Sequence, residues 1–196
     1  MVSALFVNKD SVYKRLGIDS WDQDRDALNF TGSHAVICHP PCRAWGRLRH
    51  FAKPALGEKD LALFALSLVR KNGGILEHPR SSKLWEYINL YGFDNYGGYA
   101  IHINQHWFGF PAEKKTILYI VGLPSKRLPL IPLNFDVVRF TICSSKSRFE
   151  TGKKELNKKN NAETPSQLAS WLIEVCELIN ENKVVRIVDK NLNQSI

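Results

Sequence analysis

Ala35-Val36-Ile37-Cys38-His39-Pro40-Pro41-Cys42 opens, and Gly74-Ile75-Leu76-Glu77-His78-Pro79 closes, the stretch on which the fold turns. Ala35–Cys38 is a short apolar run that reads as a buried strand. The two prolines after it cannot donate to a ladder, so Cys42 falls in a turn just past the strand end. Between the two runs, Glu58–Lys71 carries Leu61, Phe64, Ala65, Leu68 and Val69 at the spacing of a helix with one apolar face. Gly73 or Gly74 stops that helix, and Gly74–Glu77 reads as a second short strand ended by His78-Pro79. A right-handed crossover places both strands in one sheet with their carboxyl ends on one edge. Cys42 and Glu77 are thereby expected to meet.

The same alternation continues outward. Val2–Val7 reads as a first strand and Ser11–Leu16 as a short helix. A helix near Ser81–Leu90 and strands at Tyr99–Asn104 and Thr116–Val121 follow. Thr164, Pro165 and Gln167 form a capping-box start to a last helix whose apolar face is Leu168, Trp171, Leu172, Val175 and Ile179. Alternating strands and helices predict an α/β fold, a mostly parallel sheet with helices on both faces. In such sheets ligands bind at the carboxyl ends of the strands.

At 196 residues the chain is expected to be a single domain over 1–196, with 144–163 a basic, mobile loop before the last helix. Hydrophobic residues make up 44% and charged ones 23%, which excludes a disordered chain, and no apolar run reaches the ~18 residues of a membrane span. Met1–Phe6 carries no basic leader segment, and four scattered cysteines form no disulfide frame, so a cytoplasmic location with free thiols is expected. The formal charge of +8 is concentrated in two places. Residues 39–53 hold Arg43, Arg47, Arg49 and Lys53 with no acid, and 144–161 hold six cations, Lys146 and Arg148 among them, against two acids. Such clustering points to an anionic partner, most economically a nucleic acid; two solvated loops are the plainer reading. The histidines (His39, His50, His78, His102, His106) and Cys42 show no metal-ligand spacing, and no metal is expected.

A cysteine and a carboxylate brought together by a crossover unit are the minimum kit for activating a pyrimidine. The thiolate adds to C6, C5 becomes nucleophilic, and an acid at N3 absorbs the developing charge. Pro40-Pro41-Cys42 resembles the catalytic Pro-Cys motif of the DNA (cytosine-5) methyltransferases. Glu77-His78-Pro79 resembles their Glu-Asn-Val motif (Glu-Asn-Pro in some phage-borne relatives). Phe108-Gly109-Phe110-Pro111, with Lys114 and Lys115 before the strand that ends at Gly122, is similar to their later Tyr-Gly-x-Pro and Gln-x-Arg-x-Arg segment. Asp22–Phe30 resembles their Glu-x-Asp-x-x-Ala-x-x-Tyr stretch. The order of the motifs matches, over roughly residues 5–122.

The resemblance implies a Rossmann-like methyltransferase core and a flipped base, with Cys42 attacking C6, Glu77 at the N3 side, and Lys114 and Lys115 supporting them. It implies S-adenosylmethionine as cofactor, Asp22 on its ribose, and Phe6, Ser11, Trp21 and Pro40 around it. Arg43, Arg47, Arg49, Lys53, Lys146 and Arg148 would contact phosphates, and Trp45 would stack or wedge. The chain also departs from the pattern. The family's Phe-x-Gly-x-Gly-Gly is here Phe6-Val7-Asn8-Lys9-Asp10-Ser11, without glycine; lysines replace arginines and Ala112 the usual Gln. About 40 residues separate Gly122 from Thr164, too few for the family's target recognition domain. Two alternatives therefore stay open: a donor-independent or differently supplied modifier of a pyrimidine in DNA or in a free nucleotide, using the same Cys42 and Glu77, and a catalytically degenerate domain that only binds DNA or protein, as in anti-restriction or defence.

Overall fold

The structure, a computed structural model, describes residues 1–47, 49–90, 92–142, 152–157 and 162–193. In chain order the elements are β1 (Ser3–Leu5), α1 (Val12–Arg15), β2 (Asp19–Trp21), β3 (Val36–Cys38), α2 (Glu58–Asn72), β4 (Gly74–Pro79), α3 (Leu84–Tyr87), β5 (Tyr99–Asn104), β6 (Lys115–Val121), β7 (Phe140–Thr141), β8 (Lys154–Glu155) and α4 (Ser166–Asn193). Six strands form one sheet in the order β2-β1-β3-β4-β6-β5. The protein is thus α/β with a mostly parallel sheet.

Strands β2, β1, β3 and β4 pair in parallel, while β6 runs against both of its neighbours, β4 and β5. The reversal follows from chain length. Parallel neighbours need a crossover of a dozen or more residues, and only ten separate Asn104 from Lys115. This reversal has a consequence for the site: the start of β6 reaches the same sheet edge as the ends of β1, β3 and β4.

Side chains alternate between two cores. Leu5, Val36, Leu76, Tyr119 and Val121 pack with Ala62, Ala65, Leu66 and Val69 of α2. Ala4, Ile37, Ile75, Leu118 and Ile120 pack with Leu168, Leu172, Val175 and Ile179 of α4 on the other face. Burial on both faces explains why these strands read as unbroken apolar runs rather than alternating ones. Each fully buried aliphatic is worth about 1.5–3 kcal/mol.

Gly74 fixes the join between α2 and β4. Its φ is +135°, and a Cβ there would stand 2.1 Å from the Val36 carbonyl oxygen, so β4 can lie beside β3 only with glycine at this point. Phe6 ends β1 abruptly, at a φ of +59° that a non-glycine residue seldom adopts.

Strand β2 was not expected from sequence, because Asp19-Ser20-Trp21 lacks an apolar run; it is held instead by parallel pairing to β1. The last helix begins at Ser166, with the Pro165 carbonyl accepting from the Ala169 N–H at 2.9 Å. Within 144–163, residues 152–157 include β8; Lys146 and Arg148 lie outside the described residues. No helix among the described residues is long and apolar enough to cross a membrane.

Candidate active site

Register brings the site together. Cys38 is paired with Leu76, so the next residue on each strand, His39 and Glu77, stand side by side. They meet: His39 Nδ1 lies 3.1 Å from Glu77 Oε2. Pro40 and Pro41 then turn the chain, and Cys42 comes to the wall of the same cleft. That cleft is about 1340 Å³. Its walls are Phe6–Tyr13 after β1, His39–Cys42 after β3, Glu77 with Pro79–Ser81 at the end of β4, and Glu113–Thr116 at the start of β6. Seven lysines and arginines line it against four acids.

Glu77 is only 13% exposed and is held on both oxygens. His39 donates to Oε2, and Gln105 donates from Nε2 to Oε1 at 3.0 Å and to Thr116 Oγ1 at 3.1 Å. Burial alone would push the carboxyl up. The hydrogen bond and charge of His39, then Lys114 and His78, outweigh it and hold Glu77 at about 2, so it is ionised at neutral pH. Behind His39, the Tyr13 hydroxyl lies 2.8 Å from Nε2. Tyr13 is fully buried, and burial holds its hydroxyl proton in place well beyond the usual range.

Cys42 is an exposed residue whose sulfur is crowded by the cleft wall. That crowding and the Glu77 charge push the thiol up, against the pull of its own backbone N–H and of Lys114. The resting thiol therefore keeps its proton at neutral pH, and addition to a ring requires its removal. Lys114 is pulled down by burial and held up by Glu77 and Cys42, the two groups whose charges it feels. Its Nζ donates to the Glu163 carbonyl at 3.3 Å. Lys115 behaves differently: it sits at the exposed rim, 3.7 Å from Glu113.

Phe6, Ser11 and Pro40 line the cleft, whereas Trp21 and Asp22 do not. Asp22 is 6% exposed; Oδ2 pairs with Lys14, and Oδ1 accepts from the backbone N–H groups of Asp24 and Arg25. The carboxylate expected on a ribose is thus committed to closing its own turn. Trp21 lies flat beneath the Arg25 guanidinium, 4.0 Å from the ring centre, and donates to Asp19.

The basic loop is divided in the same way. Arg43 binds Glu58 through two nitrogens and fastens the loop to the first turn of α2. Arg47 reaches the cleft, Arg49 is half-buried and Lys53 is exposed. Trp45 corrects the sequence expectation. It is 3% exposed, donates to the Lys59 carbonyl and packs edge-on against Tyr87, so it anchors the loop from inside. The aromatic that this loop does present is Phe51, 86% exposed.

His39, Tyr13 and Gln105 are site residues that the sequence reading missed. Gln105 follows the last residue of a predicted strand, a signal of the same kind that found Cys42, but a strand whose partner runs antiparallel gave no reason to look there. His78 is fully buried against Trp85 beneath the proline turn, with the Pro41 carbonyl facing a ring whose nitrogens lack a well-formed hydrogen bond. Burial pulls it down to about 4, so it is neutral at pH 7. Neither a scan of protein-family models nor a search of curated proteins found a match to this chain.

Proposed function

We propose that this protein is a pyrimidine-modifying enzyme acting on nucleic acid, resembling the DNA cytosine-5 methyltransferases. The observation that carries the reading is that Cys42 and a doubly anchored, ionised Glu77 share one basic-lined cleft at neighbouring strand ends. Cys42 gives its proton to solvent and its sulfur bonds to C6 of the ring, moving an electron pair towards C5 and N3, where a proton from solvent balances the charge. Glu77, being ionised, does not supply the proton that N3 takes up; it accepts from the exocyclic amino N–H beside N3 and holds the ring in plane. The C5 carbon, now nucleophilic, takes an electrophilic group from its donor, whose leaving group departs with the electron pair of the broken bond; the C5 proton then passes to solvent, and expulsion of the C6–S bond restores the aromatic ring and frees the thiolate. Arg47 and the other cleft cations would bind the phosphates of a strand whose target base is turned out.

S-adenosylmethionine, the donor that the resemblance implies, would supply an electrophilic methyl group. Phe6, Ser11 and Pro40 line the cleft beside Cys42, but the residue expected on its ribose does not fit: Asp22, buried in a pair with Lys14, lies with Trp21 away from the cleft. That mismatch favours the second reading, a donor-independent modifier with the same Cys42 and Glu77.

A duplex carrying 5-fluorocytosine, run on a denaturing gel, tests both. A covalent adduct that needs Cys42 and S-adenosylmethionine supports methyl transfer. An adduct that needs Cys42 alone supports the second reading. Tight binding with no adduct, unchanged by Cys42→Ala, would sink both and leave a binding domain.

A further inference from the structure

We infer that His39, oriented by Tyr13, is a positioning residue that fixes the Glu77 carboxylate towards the base; the inference rests on the pyrimidine reading above. A carboxylate can only accept, so the hydrogen shared by Glu77 Oε2 and His39 Nδ1 sits on the nitrogen. In the neutral form of the ring, the buried Tyr13 hydroxyl, 2.8 Å from Nε2, gives its hydrogen to the other side. Two hydrogen bonds therefore select one tautomer, and the imidazole cannot flip without orphaning a buried phenol. With Gln105 on Oε1, the carboxylate is gripped at both oxygens, and each oxygen still has a lone pair for a ligand N–H.

The pair also ties the site together mechanically. His39 is pinned to β1 by its own N–H, which donates to the Leu5 carbonyl at 3.0 Å. Tyr13 belongs to α1, whose N-cap Ser11 is part of the cleft wall and accepts from the Tyr13 N–H. The titratable groups around this imidazole and its carboxylate are Tyr13 from α1, Cys42 from the proline turn, Glu77 and His78 from β4, and Lys114 ahead of β6.

The test uses the full chain labelled with ¹⁵N in histidine and ¹³C in glutamate, with Tyr13→Phe, His39→Gln and His39→Leu. Two-bond ¹H–¹⁵N correlation should show His39 in the Nδ1–H form, and the Glu77 carboxyl should titrate at higher pH in Tyr13→Phe and His39→Leu. Adduct formation on the 5-fluorocytosine duplex should slow by roughly 10-fold in Tyr13→Phe and roughly 100-fold in His39→Leu, the scale of a small misplacement of a reacting group. His39→Gln should restore most of the rate, because its amide can donate to Glu77 and accept from Tyr13. An Nε2–H tautomer in the wild type, or an unmoved Glu77 titration in folded His39→Leu, would overturn the inference. Should the wild type form no adduct, the pyrimidine reading fails, and the tautomer and titration still decide whether the pair holds Glu77.

Discussion

Gln105 and Glu77, from the ends of two strands that are not neighbours, are joined across β6 by a 3.0 Å hydrogen bond. The link exists because β6 is antiparallel: its first residues lie at the edge where β4 and β5 finish. Thr116, paired with Pro79 in the ladder, presents the hydroxyl that receives the second Gln105 hydrogen. Removing that donor takes away one of the two hydrogen bonds that hold the Glu77 oxygens. Gln105→Leu is expected to raise the Glu77 carboxyl and slow adduct formation by roughly 10-fold, with the loss of a hydrogen bond to a charged group costing about 1.5–3 kcal/mol. Carboxyl ¹³C titration measures the first effect; an unmoved Glu77 would show that His39, Lys114 and His78 sustain the charge without Gln105.

Acid should weaken the fold in two steps. Buried His78 is held neutral down to about pH 4, whereas the unfolded chain takes up that proton near 6.5. The unfolded state thus binds more protons between those values, and stability falls as pH drops from about 6.5 to about 4, by ~3 kcal/mol. Glu77 adds a second loss of similar size as pH falls from 4.5 towards about 2, because its native carboxylate must be protonated. Urea titrations across pH 3.5–7 measure the first step. His78→Leu should flatten the 6.5-to-4 segment, and equal slopes in both proteins would remove His78 from the account.

Gly74 offers a test of the crossover itself. Alanine at this position would drive a Cβ into the Val36 carbonyl in a backbone region that side chains rarely adopt. Backbone has to give way, so Gly74→Ala is expected to cost about 2 kcal/mol or more. Gly17, also at positive φ but with open space around its Cβ position, is the control and should cost less. Chemical denaturation of the two variants settles the order.

The crossover unit was legible because its signals are local: an apolar run ended by Pro40-Pro41, a helical stripe, and a glycine pair before the next run. Register did the rest, since Cys38 opposite Leu76 leaves no choice but to bring His39 to Glu77. What the sequence hid depends on pairing across the chain. Strand β2 has too little apolar character to announce itself and is ordered by β1. The resemblance would put Asp22 on a ribose, yet its oxygens accept from Lys14 and from two backbone N–H groups of its own turn. Trp45 and Phe51 show the same limit. Both are aromatic residues in one basic loop, and only three-dimensional packing decides which turns inward.

The two aromatics should therefore separate under substitution. Trp45→Ala empties a buried site and breaks the bond to Lys59 O, at a cost of about 3–5 kcal/mol in stability. Phe51→Ala touches no core and should leave Tm unchanged. If the loop meets nucleic acid, loss of Phe51 should weaken single-strand binding by about 1–3 kcal/mol, the worth of one stacked base. Arg47→Ala should weaken binding and lower the salt dependence by about one phosphate contact, whereas Arg43→Ala should lower stability instead, because its guanidinium is spent on Glu58. Fluorescence anisotropy with a labelled oligonucleotide at several salt concentrations, beside thermal melts of the same proteins, reads both effects. An affinity unaffected by Phe51→Ala and Arg47→Ala together would take the loop out of the nucleic-acid interface, and the cleft cations Arg80 and Lys153 would become the next residues to substitute.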